Sequence, residues 1–345
     1  MSGRHASTAS ISAASPWGRA GRKAAASLAL GLALLCASLD GVADAEPPRL
    51  EVAGVDDAAP RTFVVYGDTR FTERDDVANP IARRALVQQI ALEKPLAVFI
   101  GGDLVYEGHD MRDYEAFTLE TRAWTEQGIP VFPALGNHEL RECNADVQPC
   151  LENWWRAFEA LHLAPHRWYS VSLGASLLVL VLDSDSALKA HSPQREWLEH
   201  EVDAADGRFG FIMLVLHYPP VRDPIFPRGR DEREIARYLA RRQPSLRSQV
   251  VVVGSHVHNY ERFRKHDVTY LVSGGGGAKP VPAFRMFGEL SRLHTSTNFH
   301  YLRFTLEGDR LTGVMVRFDP FVGSAEAWTE PDRFEVRARA ASPAL

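Results

Sequence analysis

The sequence predicts an α/β protein built from β-α-β units, and three observations lead there. Short Val-, Ile- and Leu-rich runs alternate with amphipathic stretches of helical period. Those runs are apolar at nearly every position, as suits strands covered on both faces. Several end in a Gly-polar cluster, where a parallel sheet presents ligand-binding residues.

In order from Arg61, TFVVYGD predicts a buried strand and Ile81 to Leu92 a helix. LAVFIGGD predicts a second strand, Tyr114 to Thr125 a second helix, and IPVFPALGNHE a third strand. RWYSVSLG and SLLVLVLDSD predict neighbouring strands, and Ser192-Pro193 an N-cap and N1 pair opening a helix through Val202. FIMLVLHYPP is a strand ending in histidine, Glu232 to Arg242 a helix, and SQVVVVGSHVHNYER a strand ending in two histidines. VTYLVSGGGG is a further strand, and YLRFTLEGDRLTGVMVRF a hairpin turning near Gly308-Asp309. Residues 46–57 are expected as a polar lead-in, 58–335 as one catalytic domain and 336–345 as a tail, with the chain loose after Arg333.

The chain has 345 residues, 45% hydrophobic and 24% charged, enough for a substantial core. A formal net charge of −5 provides no basic footprint for nucleic acid. Residues 1–45 have the marks of a signal peptide: Arg19, Arg22 and Lys23, an apolar run from Ala24 to Leu39, then Ala43-Asp44-Ala45 before a cleavage site at Glu46. The run is short for a membrane span; an uncleaved N-terminal anchor is the alternative. Either reading implies export, to a periplasmic or extracellular space. Bulky Leu35 before Cys36 argues against lipidation. Cleavage would move the net charge to −7, since the segment holds four Lys or Arg and two Asp or Glu. Cys143 and Cys150 remain, spaced too widely for a usual zinc pair and expected as a disulfide.

The chemistry collects at strand ends. Asp68, Asp103, Asn137, His217, His256 and His258 each sit at or just past one. Oxygen and imidazole donors of this kind suit Zn, Mn and Fe, and six of them could hold two ions. Each residue alone has a blander reading as a turn, cap or packing residue. The ordered set of five strand ends is what carries the argument. H-x-H adds to it, since on an extended strand its two side chains share one face.

That set, GD (67-68), GD (102-103), GNHE (136-139), LH (216-217) and HVH (256-258), resembles the calcineurin-like metallophosphoesterase superfamily. Arg70 stands where many members have a first-motif histidine, and GGDLVY places Tyr106 three residues after Asp103. This paired change resembles the purple acid phosphatase branch in its compact single-domain form. The resemblance implies a four-layer α/β/β/α sandwich and a binuclear centre hydrolysing phosphate monoesters through a metal-bound hydroxide. Fe(III) would be held by Asp68, Tyr106, His258 and bridging Asp103. Zn, Mn or Fe(II) would be held by Asp103, Asn137, His217 and His256. His138 would act as general acid or hydrogen-bond donor. A phosphodiesterase or nucleotidase with the same metals, and a non-catalytic binding protein on this fold, are the alternatives.

Three departures from the branch stand out. Ser255 replaces the glycine usual before H-x-H. Arg70 occupies a position often small, with two readings: contact with the substrate phosphate, or pairing with an acidic neighbour. The N-terminal β-sandwich of plant-type members is expected to be absent, given the short span between the proposed cleavage site and the first strand. Arg222, Arg228 and Arg230, in the loop after His217, have two readings of their own: contact with a substrate phosphate, or a solvated basic loop. His109 and His266 are left outside the site, and Gly274 to Gly277 are read as allowing close backbone approach rather than as a P-loop.

Overall fold

A computed structural model describes residues 46–339 except 57, 144, 223–230, 282–298, 324 and 325. The expected signal segment, the tail beyond residue 339, Arg228 and Arg230 lie outside the described residues. In chain order the elements are β1 (Arg49–Glu51), β2 (Arg61–Tyr66), α1 (Pro80–Glu93), β3 (Val98–Ile100), α2 (Met111–Glu120), α3 (Arg122–Glu126) and β4 (Val131–Pro133). There follow α4 (Gln148–Ala157), β5 (Tyr169–Leu173), β6 (Leu177–Val181), α5 (Pro193–Ala205), β7 (Phe211–Val215), α6 (Asp231–Arg242) and β8 (Gln249–Gly254). Strands β9 (Tyr260–Lys265), β10 (Val268–Ser273), β11 (Phe299–Glu307), β12 (Arg310–Phe318) and β13 (Trp328–Arg337) complete the order.

The strands form two sheets, β1-β5-β6-β7-β8-β10-β9 and β13-β12-β11-β2-β3-β4. β2, β3 and β4 run parallel, as do β6, β7, β8 and β10. In the six-stranded sheet antiparallel pairing begins at the centre, where β11 joins β2, and the β11–β12 hairpin turns through Gly308 at φ 56°.

Side chains alternate across the seven-stranded sheet, so each strand serves two cores. Val179, Met213, Val215, Val251 and Val253 face the inner core with Phe63, Val65, Phe99 and Phe304 of the other sheet. Leu178, Leu180, Ile212, Leu214, Val250 and Val252 face outward onto Leu198 and Val202 of α5 and Ile235 and Leu239 of α6. Leu86, Val87 and Ile90 of α1 join the core with the six-stranded sheet. This is the expected four-layer arrangement. Each fully buried Val, Leu or Phe contributes roughly 1.5–3 kcal/mol.

Several local expectations need correction. The lead-in contains β1, which pairs in parallel with β5. The chain is ordered past Arg333: β13 pairs with β12 to Arg337, and Arg339 donates to the carbonyls of Gln243 and Leu246 and pairs with Asp267. The single helix expected over Tyr114–Thr125 starts earlier and breaks at Thr121, whose hydroxyl donates back to the Phe117 carbonyl while its backbone leaves helical geometry. Ser192 does sit at the N-cap of α5, but its hydroxyl donates to the carbonyls of Ala187 and Lys189 instead of capping. Cys143 and Cys150 form the expected disulfide.

Candidate metal centre

The expected ligands do not lie along one sheet. Asp68, Asp103 and Asn137 follow β2, β3 and β4 of the six-stranded sheet, while His217, His256 and His258 follow β7 and β8 of the seven-stranded sheet. The two strand edges meet at a seam. Gly67 N–H donates to the Ser273 carbonyl across it, and His217 Nδ1–H donates to the Gly101 carbonyl at 3.1 Å. Ser255 fits here because residues 67 and 101 are glycine. A Cβ on either would come within 2.2 or 2.4 Å of Ser255 Oγ, which instead donates to the Ser273 carbonyl.

Tight turns aim the ligands. Asp68, Asp103 and His256 have φ of 57°, 52° and 66°, a left-handed region uncommon for residues with a side chain. The H-x-H pair is therefore not on an extended strand. β8 ends at Gly254, and the turn sends the two histidines to different places. His256 Nδ1 lies 3.2 Å from His217 Nε2, whereas His258 Nε2 lies 3.5 Å from Asp68 Oδ1.

The donors form two groups that share Asp103. Asp68, Asp103 and His258 each present one ligand atom, all within 4.8 Å of one another, a group that can hold a metal ion. On the other side His217 Nε2 is 3.3 Å from Asp103 Oδ1, 3.1 Å from Asn137 Oδ1 and 3.2 Å from His256 Nδ1. The imidazoles are oriented from behind. His217 donates from Nδ1 to Gly101 and His258 from Nδ1 to Lys279 at 2.8 Å, which leaves each Nε2 facing the site.

Asp68 is fully buried, and neither carboxylate oxygen has a hydrogen-bond partner among the described residues. Gly274 presses against it, since a Cβ there would lie 2.4 Å from Asp68 Oδ2. A buried carboxylate without hydrogen bonds costs several kcal/mol unless a cation compensates it. The donor chemistry and this orphaned carboxylate both fit a metal.

The electrostatics follow from burial against close charge. Burial pushes the Asp103 carboxyl up, but His217, His138 and Arg70 outweigh it and hold the group well below the usual range. Burial lowers His217, yet Asp103 and Asp68 raise it further than burial depresses it. Burial beside His217 brings His256 down to about 4, and burial also lowers His138.

His138 is buried and donates from Nδ1 to the Tyr106 carbonyl at 2.7 Å, with Nε2 3.8 Å from Asp103 Oδ2. The Tyr106 ring lies 5.2 Å from the His138 ring, and the guanidinium groups of Arg74 and Arg141 lie 5.1 and 4.7 Å from its centroid. Its hydroxyl makes no hydrogen bond among the described residues. Arg70 Nη2 pairs with Asp103 Oδ2 at 3.3 Å. Arg222 is buried and paired with Glu232 at 3.8 Å. His109 pairs loosely with Glu107, and His266 turns between β9 and β10.

Two groups carry no role in the sequence reading. The buried Glu139 carboxylate accepts from the N–H groups of Asp103, Val105 and Gly136, fixing two ligand loops at once. Burial beside Asp103 raises it to about 8. Its position in GNHE is the one signal that could have flagged it. Tyr218 packs on His256 at 4.4 Å, a contact no spacing rule reveals.

Two docked sheets that bring carboxylates, an amide and imidazoles to one seam define a metallophosphoesterase-type centre. The calcineurin-like phosphoesterase family matches residues 61–260, more than half of the sequence, and the chain belongs to that family. Within it the likeness runs to purple acid phosphatases. Purple acid phosphatase 21 of Arabidopsis thaliana is 27% identical over 206 residues, covering 53% of this chain and 44% of that protein. The chain thus spans less than half the length of this plant relative. A purple acid phosphatase from yellow lupin (Lupinus luteus) seeds superposes with a TM-score of 0.63 at 16% identity, covering 84% of this chain and 57% of that one. GAP50, the anchor in the inner membrane complex of Plasmodium, does so with a TM-score of 0.57 at 14% identity, covering 81% and 90%. Among the described residues no helix is long and apolar enough to cross a membrane.

Proposed function

We propose that this protein is an exported, binuclear metal-dependent phosphatase that hydrolyses phosphate monoesters. The supporting observation is the pair of donor groups sharing Asp103, one of them containing the orphaned Asp68 carboxylate. Asp68, Asp103, Tyr106 and His258 would hold Fe(III); Asp103, Asn137, His217 and His256 would hold Zn, Mn or Fe(II). Two such cations would offset phosphoryl charge and acidify a water to a nucleophile.

The chain's own groups do the rest. The carbonyls of Gly101 and Lys279 fix the tautomers of His217 and His258, so each turns a lone pair to the site. The Tyr106 carbonyl accepts from His138 Nδ1, so Nε2 would give a proton to the leaving oxygen only from the doubly protonated ring, a form that burial opposes and Asp103, 3.8 Å away, favours. Glu139 holds the Asp103 and Gly136 backbones in register. The N-terminal segment supports export to a periplasmic or extracellular space.

The test is hydrolysis of an aryl phosphate monoester and the matching diester by protein supplied with iron and zinc. Monoester preference supports the proposal, diester preference moves it to a phosphodiesterase, and bound metals without turnover favour a binding role. The iron assignment has its own readout. Tyrosinate on Fe(III) absorbs visible light, and a Tyr106→Phe protein that keeps the band would end that assignment.

A further inference from the structure

Arg70 is unexpected for its backbone. Its φ is 49°, in the left-handed region where glycine is unstrained and a side chain is not. Backbone contacts already pin the turn. Arg70 N–H donates to the Asp103 carbonyl, and the Arg70 carbonyl accepts from Arg83 Nη1 at 2.9 Å. A glycine could follow the same path, so what arginine adds is the guanidinium.

That group is 16% exposed and reaches the centre of the site. Nη2 lies 3.3 Å from Asp103 Oδ2 and 3.2 Å from His258 Nε2. Nε–H is buried and has no acceptor among the described residues. Nε–H and one Nη2–H leave the same edge of the planar group, a fork that matches two oxygens of one oxyanion. His138 Nε2 approaches the same Asp103 oxygen, at 3.8 Å. A cation at Asp68, Asp103 and His258 would take the His258 lone pair and leave the fork short of another acceptor.

We propose that Arg70 determines specificity, its Nε–Nη2 fork gripping two non-bridging oxygens of a terminal phosphate monoester beside His138. This rests on the phosphoesterase reading. A monoester dianion offers three non-bridging oxygens and two charges; a diester offers two oxygens and one charge. The fork therefore favours the monoester.

The experiment compares full-length wild type with Arg70→Ala, Arg70→Gly and Arg70→Lys, all supplied with iron and zinc. It reads bound metal by elemental analysis, the Kd of inorganic phosphate by calorimetry, and kcat and KM for an aryl monoester and its diester. Arg70→Gly relieves the backbone and guards against a folding artefact. Metal content should stay at the wild-type value. Phosphate should bind about 10- to 100-fold more weakly to the Ala and Gly variants, the scale of losing a charge-assisted bidentate contact, and less so to Lys. The monoester kcat/KM should fall by a similar factor, and the diester value by much less. Unchanged phosphate affinity, equal losses on both esters, or loss of metal from the variants would each overturn the proposal. A wild type that holds metals but neither binds phosphate nor turns over an ester removes the phosphoesterase reading and this inference together. An active wild type with indifferent Arg70 variants removes the inference alone.

Discussion

The six-stranded sheet carries the oxygen donors Asp68, Asp103 and Asn137, while the seven-stranded sheet carries the imidazoles of His217, His256 and His258. Neither sheet holds a complete donor set. The first alone would set two buried carboxylates side by side with none of the three imidazole ligands, only His138 near Asp103. The second would gather neutral rings with no anion. The difference locates the chemistry in the docking of the sheets, so metal binding and sheet packing should rise and fall together.

The largest test of that contrast removes the donor both groups share. Asp103→Ala should lower the monoester kcat/KM by roughly 10³-fold or more, with metal content falling in parallel. A variant that keeps both ions would break the argument for a shared ligand. Next comes metal removal. A chelator should reduce unfolding stability by about 4 kcal/mol for each ion standing near 1,000 times its Kd, because bound ions would clamp the seam. Calorimetric unfolding that is unaffected by the chelator would mean the sheets dock without them.

A control away from the seam is the Cys143–Cys150 bridge. The loop-entropy account gives about 2.5 kcal/mol for its eight-residue loop. The double serine variant should lose that stability in denaturant titration and retain its metals. The smallest effect tests the seam's packing. Gly101→Ala should cost about 1–3 kcal/mol through its collision with Ser255. Ser255→Gly should recover most of it in the double mutant, and additive losses would place the strain elsewhere.

Much of this was legible in the sequence because the signals were local. Val- and Leu-rich runs ending in GD, GNHE, LH and HVH mark strand ends whatever the tertiary context, and the apolar strands are indeed covered on both faces. What failed depends on partners far along the chain. β1 is three residues long and exists because β5 lies beside it. β13 continues past Arg333 because β12 offers its edge. The H-x-H geometry turned on a backbone reversal at His256, which period-two reasoning does not anticipate. Glu139 was visible in its motif, but its three backbone partners come from two loops that only the fold unites.

β2 lies between β3 and β11, and the latter partner is remote: Thr62 faces Thr305, 243 residues away. The order of synthesis gives this a consequence. At about 5–20 residues per second, roughly 10–50 s separate the making of Asp68 from that of the strand that completes its sheet. Through that interval β2 has an unpaired edge, the kind that invites association with other chains. The nascent protein thus carries Asp68 through most of that interval without the finished sheet, and its last candidate ligand, His258, precedes β11 by only 41 residues.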